Sequence, residues 1–222
     1  MSHVVMPRRS AIVGGFDLDA SHIRVEGFEI TADKPATGVQ LKGSYCDILD
    51  NYIHHMMTAV NGTYGEPSPD GAARDYSAVA HNRIAYNKVY RCEYGFMLGG
   101  NDWLVENNEI SRLFMYASGN HYDDCDYTRF FGKGCIQRYN YYHGTLTSET
   151  GRAHVDGIQT FMNNGGMAQD VLFEFNTCFD WGQGAMIESA PHIGSVRNWT
   201  RRHNIYSSDR PTYKGAWALN VI

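Results

Sequence analysis

The chain has 222 residues, 43% of them hydrophobic and 19% charged, with a formal net charge of -5 at pH 7, enough apolar material for one elongated domain with a sizeable core. The acidic balance and the lack of any basic run exclude the electrostatic footprint of a nucleic-acid binder, and no stretch approaches the roughly 18 apolar residues of a membrane span. Cys46, Cys92, Cys125, Cys135 and Cys178 are odd in number and contain no CxxC pair, which argues against a disulfide framework or zinc knuckle and predicts buried thiols.

Along the chain one phrase recurs. Asn51 in DNYIHH, Asn87 in YNKVYR, Asn108 in ENNEIS, Asn140 in YNYYHG, Asn176 in FNTCFD and Asn204 in HNIYSS share a setting, and VEGFEIT at 25–31 aligns without gaps on VENNEIS at 105–111, which makes Phe28 a seventh anchor. Anchors lie between 21 residues apart (Asn87 to Asn108) and 36 apart (Asn51 to Asn87), the pattern of a solenoid whose coils carry insertions of variable length. A second phrase, Gly followed by alternating apolar residues, appears at Gly38, Gly95, Gly157, Gly184 and Gly215. Each coil therefore has at least two short strands in fixed order, with aliphatic, Tyr and Cys side chains filling a narrow interior. An inward column of Asn amides on coils about 4.8 Å apart can bond along the axis, so the anchors are read as structural.

Excess length falls at about residues 56 to 78, 113 to 134 and 144 to 155. All three insertions are expected to follow an anchor strand and so to leave one corner side by side, building a wall along one edge. The chain opens almost at once in strand-like sequence, without a secretory h-region, and stops at Trp217-Ala-Leu-Asn-Val-Ile within a coil. Open coil ends expose backbone and core, so residues 1–222 are expected to form a single domain that is truncated or covered by a partner copy, a homo-oligomer.

With the anchors, the Gly-led strands and phrases such as ILDNYIHHM and VENNEISRL, residues 10 to 222 resemble the right-handed parallel β-helix proteins of the pectin-lyase-like class. The resemblance implies an all-β solenoid of about seven coils. Many members of that class bind or cleave polysaccharides on the outer face of a stacked sheet, which would put this chain outside the cell or at its surface; others are spikes or filaments, so activity rests on the site.

His154-Val-Asp156-Gly-Ile-Gln159 is the first candidate site. In an extended segment His154 and Asp156 point the same way, roughly 6.6 Å apart, able to share a proton or cation, and the Asp-Gly-Ile turn resembles one in some β-helix hydrolases. Capping of the turn by Asp156 and packing of His154 is the alternative. The second candidate is His121, Asp123, Asp124 and Asp126, where crowded carboxylates call for a cation, an Arg or a proton. Calcium held by Asp123, Asp124 and Asp126 is the cofactor this cluster suits, ahead of zinc, which calls for a tightly spaced His-rich set; Arg129 and Lys133 are the simpler partners. Glu188, four residues past Gly184, lies roughly 17 Å from Asp156 by register, beyond the 5 to 9.5 Å of a glycosidase carboxylate pair. Asp156 should therefore pair with Asp124 or Asp126, while Glu188 and Gln159 are assigned to substrate. Lys42, Lys133 and Arg152 are the cations for a uronate or a β-elimination. Met97, Met186 and Trp217 share an outward position suited to a sugar face, and His54 and His143 are read as corner packing. The resulting expectation is a polysaccharide-cleaving hydrolase. A calcium-dependent lyase and a non-catalytic spike or glycan-binding module are the alternatives.

Overall fold

The structure, a computed structural model, describes residues 11–62, 76–116, 124–161, 167–187 and 196–209 and the strand Asn220–Val221. Three strand positions repeat in order. A Gly-led strand (Thr37–Leu41, Thr58–Gly62, Tyr94–Asn101, Thr128–Lys133, Ile158–Thr160, Ala185–Ile187) precedes a middle strand (Asp47–Leu49, Arg83–Ala85, Leu104–Glu106, Ile136–Arg138, Ala168–Glu174, Val196–Arg202). An anchor strand follows (Tyr52–His54, Lys88–Tyr90, Glu109–Ser111, Tyr141–His143, Thr177–Phe179, Ile205–Ser207). Phe16–Leu18, Arg24–Glu26 and Phe28–Ile30 form the same series at the N-terminal side.

Every equivalent strand pairs parallel and in register with the next, as in the inward run Val25, Ile48, Ile84, Val105, Gln137, Phe173 and Arg201. Aliphatic side chains stack on one another in the first four rungs of this run, from Val25 to Val105, and the chain is an all-β parallel solenoid. The anchor strands form an eight-stranded sheet that begins with Ala11–Val13, one rung before the first anchor read from the sequence. The long strand Ala168–Glu174 turns a corner, pairing through Ala168 with Gly132 and through Leu172 with Ile136, which joins the Gly-led and middle faces into one sheet.

The asparagine column bonds as its spacing predicts. Asn108 Oδ1 accepts from both the backbone N–H and Nδ2 of Asn87 at 3.0 Å, while Asn108 Nδ2 donates to Asn140 Oδ1 at 3.0 Å and to Ile84 O at 2.9 Å. Asn51, Asn140, Asn176 and Asn204 continue the pattern, and Phe28 enters it through its backbone N–H to Asn51 Oδ1 at 3.0 Å. Buried amides must be satisfied, and this arrangement satisfies them while fixing the register. The residue before each anchor takes the left-handed conformation, with φ of 50° to 61° at Asp50, Tyr86, Asn107, Tyr139, Phe175 and His203. That costs about 1–2 kcal/mol per non-glycine residue. Stacking of Tyr139 on Phe175 (5.2 Å) and of Phe175 on His203 (4.9 Å) offsets part of it.

All five thiols are buried and unbridged. They lie in a core that includes Phe96, Trp103, Phe130, Tyr142 and Phe173.

Two stretches expected to be insertions contain Gly-led strands. Register aligns Gly38, Ala59, Gly95, Tyr127, Gly157 and Gly184, so Ala59 within Thr58–Gly62 and Tyr127 just before Thr128–Lys133 occupy the place that Gly takes on the other rungs. The glycines answer to crowding. A Cβ on Gly95 would lie 2.3 Å from Tyr127 O, and one on Gly157 would lie 2.0 Å from the Trp181 ring. As a result the insertions do not share one corner. The segments after Gly62, Phe161 and Ile187 leave from the end of a Gly-led strand, whereas those after Tyr116 and His143 follow an anchor strand.

Candidate functional site

The register that places Tyr127 beside Gly157 also brings the two candidate clusters together. Thr128 pairs with Ile158, Tyr127 N–H donates to Asp156 O at 2.9 Å and Cys125 N–H donates to His154 O at 2.8 Å. Asp126 thus stands opposite Asp156, and Asp124 bridges to His154, on rungs about 4.8 Å apart. Asp156 finds its neighbour one rung earlier, as the register argument requires.

Arg129 organises the cluster. Its Nε donates to Asp126 Oδ2 at 2.6 Å, and its Nη2 pairs with Asp124 Oδ2. The guanidinium lies over the Tyr94 ring at 5.5 Å and the Phe161 ring at 5.7 Å. Asp126 Oδ1 accepts the backbone N–H of Asp156 at 3.1 Å, and Asp156 Oδ2 accepts Gln159 Nε2 at 3.1 Å. Gln159 is in register with Arg129, and its Oε1 is buried without a hydrogen-bond partner.

The cluster has an inside and an outside. Asp126 and Asp156 are completely buried and the Arg129 side chain is 4% exposed, but Asp124 is 23% exposed and His154 52%. His154 Nδ1 lies 3.7 Å from Asp124 Oδ1. Burial pushes the Asp126 carboxyl up to about 7; the Arg129 charge pulls it down, and the Asp124 carboxylate pushes it up. Burial and a second carboxylate on the same cation both favour the protonated form of Asp126, against the pull of Arg129. Gln183, next along the column after Asp156, donates its backbone N–H to Val155 O at 2.6 Å and is half-buried, so Tyr94, Asp124, His154 and Gln183 form the accessible rim.

The other sequence-predicted residues fall elsewhere. Lys42 is held by Asp17 Oδ1 at 2.8 Å and Asp19 Oδ1 at 2.7 Å, three rungs from Arg129, roughly 14 Å along the axis. Those two carboxylates raise its pKa. Lys133 pairs with Asp170 at 3.5 Å. Arg152 is exposed in the turn after the short helix Thr147–Thr150. Met97 is buried, at 6% exposure, and does not form an open sugar platform. His54 and His143 lie on anchor strands, each against a Glu from the rung before, Glu29 at 3.0 Å and Glu109 at 3.1 Å. Asp123, His121, Glu188 and Trp217 lie outside the described residues. Among the described residues no group of three His, Cys, Asp or Glu side chains is arranged to hold a metal, and Arg129 stands between Asp124 and Asp126.

Sequence reasoning did not place Tyr94, Phe161 or Gln183 at the site, and it had Arg129 as no more than a charge partner. Tyr94 and Gln183 carry a faint signal, because each immediately precedes a Gly of the repeated phrase, as Asp156 does. Fold and site define a parallel β-solenoid with a buried carboxylate–guanidinium cluster opening to the surface through a His–Asp pair. The chain has no significant match to any family model, curated protein or solved structure.

Proposed function

We propose that this chain is a carbohydrate-active enzyme that hydrolyses glycosidic bonds of a polysaccharide, on a right-handed parallel β-helix of about seven coils. The observation that carries the reading is the pairing of exposed His154 with Asp124 above buried Asp126, Arg129 and Asp156. Burying carboxylates against a shared guanidinium is costly for a fold, and a carboxyl whose pKa burial raises, as at Asp126, is a feature that functional sites share. Substrate meets Asp124 and His154. The His154–Asp124 pair handles the proton of the reaction, taking one from the attacking water and giving one to the leaving oxygen, so that the pair ends as it began. Asp126 and Asp156 stand behind them, and Gln159, Glu188, Arg152 and Trp217 are the substrate-binding candidates.

Hydrolysis is favoured over a calcium-assisted β-elimination because two of the three candidate bases are engaged, Lys42 with Asp17 and Asp19 and Lys133 with Asp170, and the third, Arg152, is exposed in a turn. The polysaccharide partner implies a setting outside the cell or at its surface. Among the described residues no helix is long and apolar enough to cross a membrane.

The test is a panel of neutral and uronic polysaccharides incubated with the wild type, Asp124→Asn and His154→Gln. New reducing ends from the wild type, lost in both folded variants and without the ultraviolet absorbance of unsaturated uronates, are expected. Absorbance would make the enzyme a lyase, and silence from folded wild type on every substrate would leave a non-catalytic spike or glycan-binding module.

A further inference from the structure

The proposed reaction needs one carboxylate presented to substrate, yet three carboxylates crowd the same strand entrance. Asp126 and Asp156 stand opposite each other on adjacent rungs and Asp124, two residues before Asp126, bridges to His154, which leaves the direction of each carboxylate to be set. For Asp124 and Asp126 it comes from a side chain five residues beyond Asp124. Arg129 Nη2 engages Asp124 Oδ2, Arg129 Nε engages Asp126 Oδ2, and the opposite oxygen of Asp124, Oδ1, is the one that faces His154 Nδ1. The planar fork fixes both carboxylates at once, which a lysine ammonium does not reproduce. The Tyr94 and Phe161 rings hold the guanidinium in turn.

We propose that Arg129 is a positioning residue: held by Tyr94 and Phe161, it turns Asp124 outward to orient the His154 imidazole and retains Asp126 in the interior. This rests on the hydrolase reading for its purpose, but its geometry is testable without turnover. The 3.7 Å between His154 Nδ1 and Asp124 Oδ1 is longer than a hydrogen bond, and at that distance the carboxylate biases the ring proton toward Nδ1 and leaves Nε2 the less protonated nitrogen. Loss of the fork frees Asp124 to rotate, and the proton then distributes over both ring nitrogens.

The experiment uses the full chain with 15N-labelled histidine, comparing His154 ring nitrogen shifts at one pH above its titration. The variants are Arg129→Lys, Arg129→Met, Asp124→Asn and Arg129→Met with Asp124→Asn. His154→Gln identifies the resonances. The wild type is expected to favour the tautomer protonated at Nδ1. Arg129→Met, and to a smaller extent Arg129→Lys, should move the shifts toward a mixture. In the Asp124→Asn background the Arg129→Met change should add nothing, because Arg129 acts through Asp124. Unchanged shifts in both Arg129 variants overturn the proposal, as does an equal change with and without Asp124. Arg129→Lys keeps the test open where removal of a buried ion-pair partner unfolds the chain. If a substrate is found, kcat should drop at least tenfold in Arg129→Lys with KM within about twofold. If no polysaccharide is cleaved, the hydrolase reading fails, while the histidine spectra still decide the role of Arg129.

Discussion

Asp156 donates its backbone N–H to Asp126 Oδ1 at 3.1 Å from the neighbouring rung, and both side chains are completely buried. Two carboxyls are thus locked side by side by the same parallel register that stacks the core, and the scaffold cannot slip by a residue without separating them.

The first prediction concerns pH. The Asp126 carboxyl, with an ordinary value of 3.8, is pushed up to about 7 by burial. Between these values the folded chain holds a proton that the unfolded chain has released, so this group makes stability fall as pH rises from 4 to 7. Asp126→Asn removes the effect. Denaturant unfolding at pH 5 and pH 8 should show a stability loss in the wild type that is markedly smaller in Asp126→Asn; parallel losses in both would place the titration on another group.

Asn108 tests the ladder. Substitution by Ala removes the acceptor for Asn87 N–H and Nδ2 and the donor to Ile84 O. An orphaned buried group costs about 1–3 kcal/mol, so Asn108→Ala should destabilise the fold by roughly 3 kcal/mol or more by chemical denaturation. A loss under 1 kcal/mol would mean that water replaces the amide.

Gly157 tests the link between core and site. Its missing Cβ makes room for the Trp181 ring, and it directly follows Asp156. Gly157→Ala overpacks this contact, for which about 1–3 kcal/mol is usual, and displaces Asp156. Lower stability together with a shifted Trp181 fluorescence maximum is expected. Trp181→Leu in the same chain should recover part of the loss.

The sequence exposes the parts of this fold in which one residue type is demanded by chemistry. Asparagine is the side chain whose amide both accepts two bonds and donates two within a stacked column, so the anchors recur and the register follows. The Gly-led strands were visible where a neighbour crowds the position, as at Gly157, and hidden where it does not: Ala59 and Tyr127 occupy the same rung position, and their strands read as insertions. That concealment moved the first insertion to the wrong corner and made Asp124 and Asp126 look like loop residues rather than strand-entrance residues. The pairing of Asp156 with the acidic stretch followed from register arithmetic. The bridging role of Arg129 did not, because it depends on side-chain reach and on the Tyr94 and Phe161 rings from other rungs, which leave no local pattern.

The rim predicts a sharp contrast between near and far charges. Asp17, Asp19 and Lys42 form an exposed cluster, of the kind that contributes little to stability. Lys42→Ala should leave turnover unchanged, which progress curves on any active substrate would check; a lost activity would return Lys42 to the list of bases and favour elimination.

The most direct measurement is reducing-end release from a polysaccharide panel by wild type and Asp124→Asn, with ultraviolet absorbance followed and with chelator present or absent. The account predicts release by the wild type that is indifferent to chelator, produces no absorbance and falls at least a hundredfold in Asp124→Asn of unchanged fold. Release that persists in Asp124→Asn, or that requires calcium and generates absorbance, would contradict it.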